Sequence, residues 1–434
     1  MTDTALRPTR LLRVVAASAR WALGLLLTFW LLLAIVWAGL HGWIVPRIGD
    51  FRASLEAQAT RIVGAPVRIG AITGRSTGLI PSFELSDVAL PAAQGQPALQ
   101  LPRVVLALSP RALLTRGFEQ LYLERPQLDV RRTVDGRILI GGIALAQGSS
   151  GDSSFADWFF AQAEVLIRGG SVRWFDEQHA APAPLELRQV DVLLRNHGWQ
   201  HNLRVDATPP PAWGSRFTLM ARMRAPLLHP RDGQWQHWSG QLFADFAHVD
   251  LAQLRAQVLS DAPVEVAKGA GSMRVWADID RASLVGGVAD LALTEVHTTL
   301  APELQPLAFV SLGGRIGGQR LAGGYTLFTE GLRFRTGDGR AWPGGNLRLQ
   351  RTAATDRVPE HTQLQAERLD LAALAQIGMR LPLDAGARAA LQNYQPQGLV
   401  ESLQASWRGP LDAPKQYQLR GKVRGLAFAT GGGP

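Results

Sequence analysis

Few residues in this sequence combine the types and the spacing that a catalytic site requires. The segment 74–78 (GRSTG) fits the G-x-S-x-G pattern, in which the serine is a nucleophile on a tight turn between a strand and a helix. Here Leu79, Ile80 and Pro81 follow, and another alternating stretch begins where a hydrolase would need a helix. The pattern therefore predicts a hairpin loop and not a nucleophile.

A glycine-rich segment at 313–324 (GGRIGGQRLAGG) raises the question of a phosphate site. It lacks the G-K-[ST] of a P-loop, and no strand–helix–strand unit surrounds it as a dinucleotide fingerprint would require. The segment therefore predicts turns between strands and no nucleotide cofactor.

Metal-ligand patterns are equally weak. His197 and His201 are four residues apart, but Asn196 and Gly198 indicate a hairpin and not a helix that would bring both rings to one metal. Asp278 and Asp280 share one side of a strand, where solvated carboxylates are expected. We expect no metal, no cofactor and no catalytic residue, so the chain is predicted not to be an enzyme. An envelope hydrolase stays open as a minor alternative.

The composition is that of a globular protein. The 434 residues are 46% hydrophobic and 19% charged, which is too polar for a multi-span membrane protein and too apolar for a disordered one. The net charge is +9, but consecutive arginines never exceed two and no recognition helix is visible, so we expect no nucleic-acid partner. Cysteine is absent, which excludes disulfides and thiol chemistry.

One membrane-spanning segment is predicted near the N-terminus. No charged residue occurs between Arg20 and Arg47, and the apolar core from Trp21 to Leu40 would span about 30 Å as a helix. Trp21 and Trp43 lie near the ends, where indole rings favour the interface. Arginines precede the segment at positions 7, 10, 13 and 20, so residues 1–20 are predicted to be cytoplasmic. The prediction is a single-pass inner-membrane anchor over 21–45 with a periplasmic body.

A cleaved signal peptide is the alternative for this segment. Val36, Trp37 and Ala38 could form a cleavage site. The apolar run is longer than the 7–15 residues of a signal-peptide core, which favours an uncleaved anchor.

The body is predicted to be mainly β-sheet. A short helix from Pro46 to about Val63 leads into period-2 alternation of apolar and polar residues, which continues to the end of the chain. Two helical stretches, 250–258 (DLAQLRAQV) and 370–377 (DLAALAQI), each begin at an aspartate cap and predict a module repeated about every 120 residues. The segment 108–114 (LSPRALL) is a candidate third helical turn.

The predicted domain order is an N-terminal module over 46–147, a flexible linker over 148–154 and repeated β modules over 155–434. Because the chain stops at GGGP directly after a strand, it is expected to be part of a longer protein.

The predicted strands are apolar on one face, and too few helices are predicted to cover those faces. The apolar faces must therefore be buried against something else. A sandwich or barrel would do so by closing on itself, and a long curled sheet would leave an apolar trough that lipid chains could fill. The sequence alone leaves both possibilities open.

Several stretches occur in a recognisable order behind the anchor. They are EAQATRIVGAPVRIGAITG (56–74), PSFELSDVALPA (81–92), LQLPRVVLALSPRALL (99–114), LYLERPQLDVRRTVDGRILIGG (121–142), LIRGGSVRWFDE (166–177) and LRVDATPPPAWGSRFTL (203–219). Together they resemble the start of the AsmA-like family, specifically its YhdP subgroup. The resemblance implies a mainly β fold: an elongated, curled, antiparallel-rich sheet with a hydrophobic groove and a few short helices behind one transmembrane helix.

The resemblance also implies phospholipid transport between the inner and outer membranes, with phospholipids and the inner membrane as partners and outer-membrane or envelope proteins as further candidates. The alternative is an assembly factor or scaffold that binds outer-membrane client polypeptides. Alternate apolar positions are the candidate groove lining: Val104, Leu106, Leu108, Leu128, Val130, Val190, Val192, Leu194, Leu203, Val205, Phe217 and Leu219. The alternative for each is ordinary sandwich core.

Overall fold

The structure is a computed structural model. It describes residues 10–39, 42–43, 45–63, 66–75, 82–90, 99–108, 117–136, 138–141, 143–145, 154–178, 184–227, 234–258, 264–342, 344–354, 359–381, 385–409 and 415–428. The chain divides into two compact units, which we call unit 1 (Met1–Arg168) and unit 2 (Gly169–Pro434). The predicted linker at 148–154 lies outside the described residues except for Ser154, which begins a helix.

The first element, α1 (Arg10–Gly39), contains the predicted anchor. Its stretch Ala17–Gly39 is long and apolar enough to cross a membrane, with a mean hydropathy of 2.2 and no side chain buried. Trp21 and Trp43 are exposed, as expected of interfacial residues. Leu40 lies outside the described residues.

Unit 1 continues with helices around residue 50 and ends with another before its last strand. The predicted helix from Pro46 begins instead as a 3-10 segment (Val45–Phe51), which is interrupted by non-helical Arg47, and becomes α-helical only in α2 (Arg52–Val63). Burial explains the tighter start, because Val45 and Ile48 are buried and Val45 lies against Gly74. A third helix, α3 (Ser154–Phe160), follows later.

The strands of unit 1 pair mostly antiparallel. They are β1 (Ala71–Arg75), β2 (Ser82–Leu90), β3 (Leu99–Ala107), β4 (Gln120–Glu124), β5 (Gln127–Arg132), β6 (Ile138–Ile140), β7 (Ile143–Leu145) and β8 (Glu164–Asp176), which crosses into unit 2. The pairing of β4 with β8 is parallel and places Leu121 beside the fully buried Val165. On the other side of β3, Arg103 bridges Glu84 (2.6 Å) and Glu124 (2.9 Å).

Unit 2 is dominated by long antiparallel strands. They are β9 (Leu185–His197), β10 (Gln200–Thr208), β11 (Phe217–Arg224), β12 (Ser239–Asp250), β13 (Glu265–Asp280), β14 (Ser283–Thr299), β15 (Leu307–Leu321), β16 (Gly324–Thr336), β17 (Ala341–Trp342), β18 (Leu347–Thr352), β19 (His361–Asp370), β20 (Gln397–Arg408) and β21 (Gln416–Ala427). Each pairs with the next in chain order, except that β18 bypasses the short β17 to pair with β16. The prediction of a mainly β, antiparallel-rich sheet with few helices behind one apolar helix is confirmed.

The two ends of this sheet differ. At one end, which we call the turn end, short turns join β9 to β10, β13 to β14 and β15 to β16. At the opposite end, the helix end, α4 (Leu251–Val258) follows β12, and α5 (Leu371–Gly378) and α6 (Ala385–Tyr394) follow β19. The two predicted D-L-A helices are therefore confirmed. Their caps are also present, because Asp250 accepts from the backbone N–H of Gln253 (2.9 Å) and Asp370 from that of Ala373 (3.0 Å). The third candidate, at 108–114, lies almost entirely outside the described residues.

Left-handed residues recur within the strands. Asp87, Gln189, Glu295 and Ser402 all have φ near +50°, and they recur at intervals of roughly one hundred residues. Three of them lie between buried apolar residues three positions apart: Leu85 with Val88, Leu293 with Val296, and Val400 with Leu403. In a regular strand this spacing would put the two side chains on opposite faces, so each left-handed residue acts as a bulge that keeps both on one face.

The interpretation of residues 313–324 as turns is wrong for most of that segment. Residues up to Leu321 belong to β15, and only the last few form a turn. Crowding from β16 explains the glycines, since a Cβ on Gly317 would lie 2.4 Å from the ring of Phe328 and one on Gly318 would lie 2.9 Å from Leu327. The glycines therefore let large neighbouring side chains lie across the strand.

The close approach of β11 to β12 gives a test of this packing. A Cβ on Gly240 would lie 2.1 Å from the carbonyl oxygen of Arg222, which is backbone and cannot rotate away. We expect Gly240→Ala to destabilise unit 2 by about 1–3 kcal/mol, measured as a lower thermal midpoint of the full chain in detergent.

Gly323→Ala is the matched control, because nothing lies within 4 Å of a Cβ at that position. Equal midpoints for the two variants would contradict the described register of β11 and β12.

Candidate functional site

The sheet of unit 2 has one continuous apolar face. Residues opposite each other in antiparallel strands point to the same side, so the registers define rows that cross the sheet. One row crosses all twelve paired strands from β9 to β21 without a polar residue: Leu194, Leu203, Ala221, Leu242, Ala277, Gly287, Gly318, Leu327, Leu349, Leu364, Ala405 and Leu419.

A second row runs parallel to it, two residues closer to the helix end. Thr329 is its one polar member among these residues: Val192, Val205, Leu219, Ala244, Val275, Ala289, Ile316, Thr329, Leu347, Ala366 and Leu403. We call the side that carries these two rows the apolar face.

The centre of the apolar face is open. Leu219, Leu242 and Leu327 retain 37%, 39% and 47% of their exposure, and Leu419 on the last strand retains 69%. Contiguous apolar surface of this extent is rare on soluble proteins unless something binds there. With twelve strands about 4.8 Å apart, the face is on the order of 50 Å long across the strands.

The helix end of the face is closed. Leu371 and Leu374 of α5 pack onto a buried cluster that includes Ala366, Val400 and Leu403. On β13, Leu251 of α4 lies close to Gly269. The open part of the face therefore lies between these helices and the turn end.

The opposite side, which we call the polar face, is rich in ion pairs. Arg315 bonds Asp290 (2.6 Å) from the next strand, and Arg204 bonds Asp206 (2.8 Å) on its own strand. These hydrogen bonds lower the pKa of both aspartates below the ordinary range, so the carboxylates stay charged. A shorter apolar row on this side consists of Met220, Phe243, Trp276, Val288, Gly317 and Phe328, and it ends at Arg204 and Arg348. The uninterrupted row across twelve strands is therefore found on the apolar face alone.

A depression of about 350 Å³ lies on the polar face near β18. Phe328, Arg348, Gln365 and Gln404 line it, and the Arg348 guanidinium lies 5.8 Å from the centre of the Phe328 ring. Neither this depression nor any other part of the described chain brings three His, Asp or Glu side chains together as metal ligands.

The predicted groove residues of unit 2 share one face. Val192, Val205 and Leu219 are directly opposite one another, as are Leu194 and Leu203 on the neighbouring row. Phe217 lies beyond Leu219 on the same side of β11, and Val190 precedes Val192 on that side of β9. Val190 and Leu194 are buried, whereas the remaining five are partly exposed.

The predicted groove residues of unit 1 are less open. Val104 is buried, and it lies opposite Leu85 and Leu123. Leu106, Leu108, Leu128 and Val130 are half-buried. Much of the surface on which these residues lie is therefore buried in the core of unit 1.

The groove residues predicted for unit 2 all lie on β9, β10 and β11, and the same two rows continue over the later strands. Leu242, Ile316, Leu327, Leu349 and Leu419 continue the same rows. The alternation that predicts those strands was the signal that could have found them, although the registers that align the rows are not visible in it.

His201 lies at the turn end of the apolar face, near the start of β10. Its ring stacks on Trp238 at 3.8 Å between centroids, its Nδ1 is 2.7 Å from Asn196 Oδ1, and 2% of the residue is exposed. The predicted hairpin is confirmed, because His197 pairs with Gln200 around Gly198. Burial lowers the pKa of His201 to about 4, so the ring is neutral at physiological pH.

The family model described as YhdP protein matches residues 1–432, which is nearly the whole chain. No curated protein matches the chain.

The buried ring of His201 predicts an acid-sensitive stability. Its folded pKa of about 4 lies below the ordinary value of 6.5, so the unfolded chain takes up the proton first as the pH falls. Stability should be complete above pH 6.5 and should fall by up to about 3 kcal/mol between pH 6.5 and 4.

Urea unfolding of the full chain at several pH values measures this loss. In His201→Phe, which keeps an aromatic ring against Trp238, the loss over this range should be smaller than in the parent. His197→Phe, at an exposed turn residue, should retain the parent's pH dependence. An identical acid dependence in the parent and in His201→Phe would refute the assignment.

Proposed function

Because the chain belongs to the YhdP family, we propose that the apolar face of unit 2 carries the acyl chains of phospholipids on their way between the inner and outer membranes. Family membership is consistent with an envelope role of the lipid-transport type. The observation that carries the proposal is the open apolar row that crosses twelve strands from Leu194 to Leu419. No catalytic group is needed, so we propose a non-enzymatic protein.

The hydrophobic effect supplies the driving force. Each CH₂ group removed from water stabilises the bound state by about 0.8 kcal/mol, so a partly covered acyl chain gains several kcal/mol. The head group needs no such cover and stays in water.

Uniform chemistry along the row would allow movement. An acyl chain that shifts from Leu242 towards Leu327 leaves apolar contacts and enters apolar ones, so no step requires contact with a charged side chain. Transport along the face can then proceed in small steps of one strand, about 4.8 Å each.

The N-terminal helix supports the proposed location. Ala17–Gly39 is suited to a single pass through a bilayer, and Arg10, Arg13 and Arg20 cluster at its start. We propose that this helix lies in the inner membrane with a cytoplasmic N-terminus and a periplasmic body. Phospholipids and the inner membrane are then the first partners.

A second candidate function rests on β21. All twelve residues of this strand are exposed, and its second edge can pair with a following strand of a longer chain or with another polypeptide. An exposed strand edge can accept another strand through backbone hydrogen bonds. A scaffold that holds client polypeptides during outer-membrane assembly would use this edge and not the apolar face.

Photocrosslinking in cells tests the lipid proposal directly. A benzophenone amino acid at Leu242 or Leu327 should give phospholipid adducts by mass spectrometry, because both side chains lie on the apolar face. The matched controls are Gln241 and Thr326, the preceding residues on the same strands, whose side chains point to the polar face. No lipid at Leu242 and Leu327, together with polypeptide adducts to the same probe at Leu426 of β21, would favour the scaffold instead.

Charge on the apolar face should block lipid binding without unfolding the sheet. Leu327→Asp is expected to reduce co-purified phospholipid at least about tenfold, since a carboxylate in contact with an acyl chain costs more than 1.4 kcal/mol. Because Leu327 is 47% exposed, the thermal midpoint should change little. Thr326→Asp is the control, and equal lipid content in the two variants would rule out this face as the binding surface.

A further inference from the structure

We propose that a row of six residues at the turn end of the apolar face borders the phosphodiester head groups of the bound phospholipids, and that its exposed arginine and tyrosine side chains hold them. This inference rests on the proposed function and adds an orientation to it, with heads at the turn end and acyl chains towards the helix end. The residues, which we call the boundary row, are Arg320, Tyr325, Arg351, Thr362, Trp407 and Tyr417.

The boundary row is continuous across six strands. Arg320 of β15 is opposite Tyr325, which is opposite Arg351, and the same registers lead on to the last three members, Thr362, Trp407 and Tyr417. Two residues further along the strands lies the fully apolar row with Leu327, Leu349 and Leu364. A strand rises about 3.3 Å per residue, so the change from hydrocarbon to polar chemistry takes place within about 7 Å.

The residue types match the boundary of a lipid layer. Arginine binds phosphate oxygens through a planar fork of N–H donors, and tyrosine and tryptophan favour the zone between hydrocarbon and water. Tyr417 is 77% exposed and Tyr325 is 36% exposed, so both hydroxyl groups can reach an incoming head group. Thr362 is buried and Trp407 is half-buried, so the contacts to a head group come from the exposed arginines and tyrosines of the row.

Arg320 is the available cation of the row. Its side chain is exposed, and no ion pair is formed by it within the described residues. Arg351 differs, because its Nε donates to Glu360 (2.7 Å). A phosphate would therefore gain most from Arg320, with Arg351 and Tyr325 as hydrogen-bond donors beside it.

The helix end cannot hold the head groups in the same way. Leu371 and Leu374 of α5 pack over Ala366 and Leu403 there, so the apolar rows end against hydrophobic side chains. On β12 to β14 the turn end has Gly240, Ile279 and Leu284 in place of polar residues. On β9 and β10 the border residues are Asn196 and the buried His201, which are bonded to each other. Exposed arginine and tyrosine side chains therefore border the apolar rows from β15 onwards.

Two photoreactive phospholipids test the orientation. The full chain is reconstituted through its N-terminal helix into vesicles of phosphatidylethanolamine and phosphatidylglycerol. One preparation contains phosphatidylglycerol with a diazirine on the head-group glycerol, and the other has the diazirine at the end of an acyl chain. After irradiation, mass spectrometry locates the labelled residues.

The expected result is separation of the two labels. The head-group probe should label Arg320, Tyr325 and their neighbours, and the acyl probe should label Leu327, Leu349 or Leu347. Head-group labelling at the helix end, or equally at both ends, would overturn the orientation while acyl labelling still supported the proposed function. If neither probe labels the apolar face, the proposed function fails as well.

A variant pair isolates the phosphate contact. Arg320→Gln should reduce head-group labelling roughly two- to fivefold, the range expected for one exposed ion pair. Arg222→Gln removes an equally exposed charge from the polar face and should leave labelling unchanged. Equal labelling in both variants would refute the role of Arg320.

A chain-free competitor identifies the source of the phosphodiester. Soluble glycerophosphoglycerol should not displace the head-group probe, because it lacks the acyl chains that supply most of the affinity. Full displacement would overturn the proposal in favour of a site for free phosphodiesters.

Discussion

The alignment of apolar side chains by antiparallel pairing is the constraint on which the rest of unit 2 depends. Each strand alone presents a few leucines, valines and alanines on one side, which is an ordinary amphipathic pattern. Register brings Leu203, Leu242, Leu327 and Leu364 into a single row, and a shift of one residue in β10 or β19 would place a polar side chain in it. The continuity of the apolar face is thus a property of the pairing and not of any strand.

Bulges preserve that continuity over strands of up to seventeen residues. Long strands twist. Near the helix end of the sheet, Glu295 in β14 and Ser402 in β20 are each an extra residue with left-handed φ, which forms a bulge. Past each bulge the buried residues, Val296 and Leu403, return to the side of their predecessors. The helices can therefore cover the same face that is open further along, and the closed and open regions meet without an intervening polar strip.

Local signals predict the elements, and long-range pairing decides the site. Alternation predicts most strands, and the aspartate caps at Asp250 and Asp370 predict two helices, because both signals act within a few residues. The glycines of β15 look like a turn signal in the sequence. They are needed because the ring of Phe328 on the neighbouring strand leaves no room for a side chain. Arg320 and Trp407 are nearly ninety residues apart in the chain, so no local pattern could place them in one row.

The two units show that one-sided alternation has more than one outcome. In unit 1, Phe83, Leu85, Leu121 and Val165 are buried, and the 3-10 segment contributes the buried Val45 and Ile48. In unit 2, Leu219, Leu242 and Leu327 in the middle of the sheet are more than a third exposed, because the α-helices of its described residues follow β12 and β19 alone. The supply of covering elements, and not the hydrophobicity of the strands, determines which apolar surface remains available. A chain that repeats strands faster than it repeats helices leaves part of that surface for another molecule to cover, and a lipid can do this without matching any specific side-chain pattern.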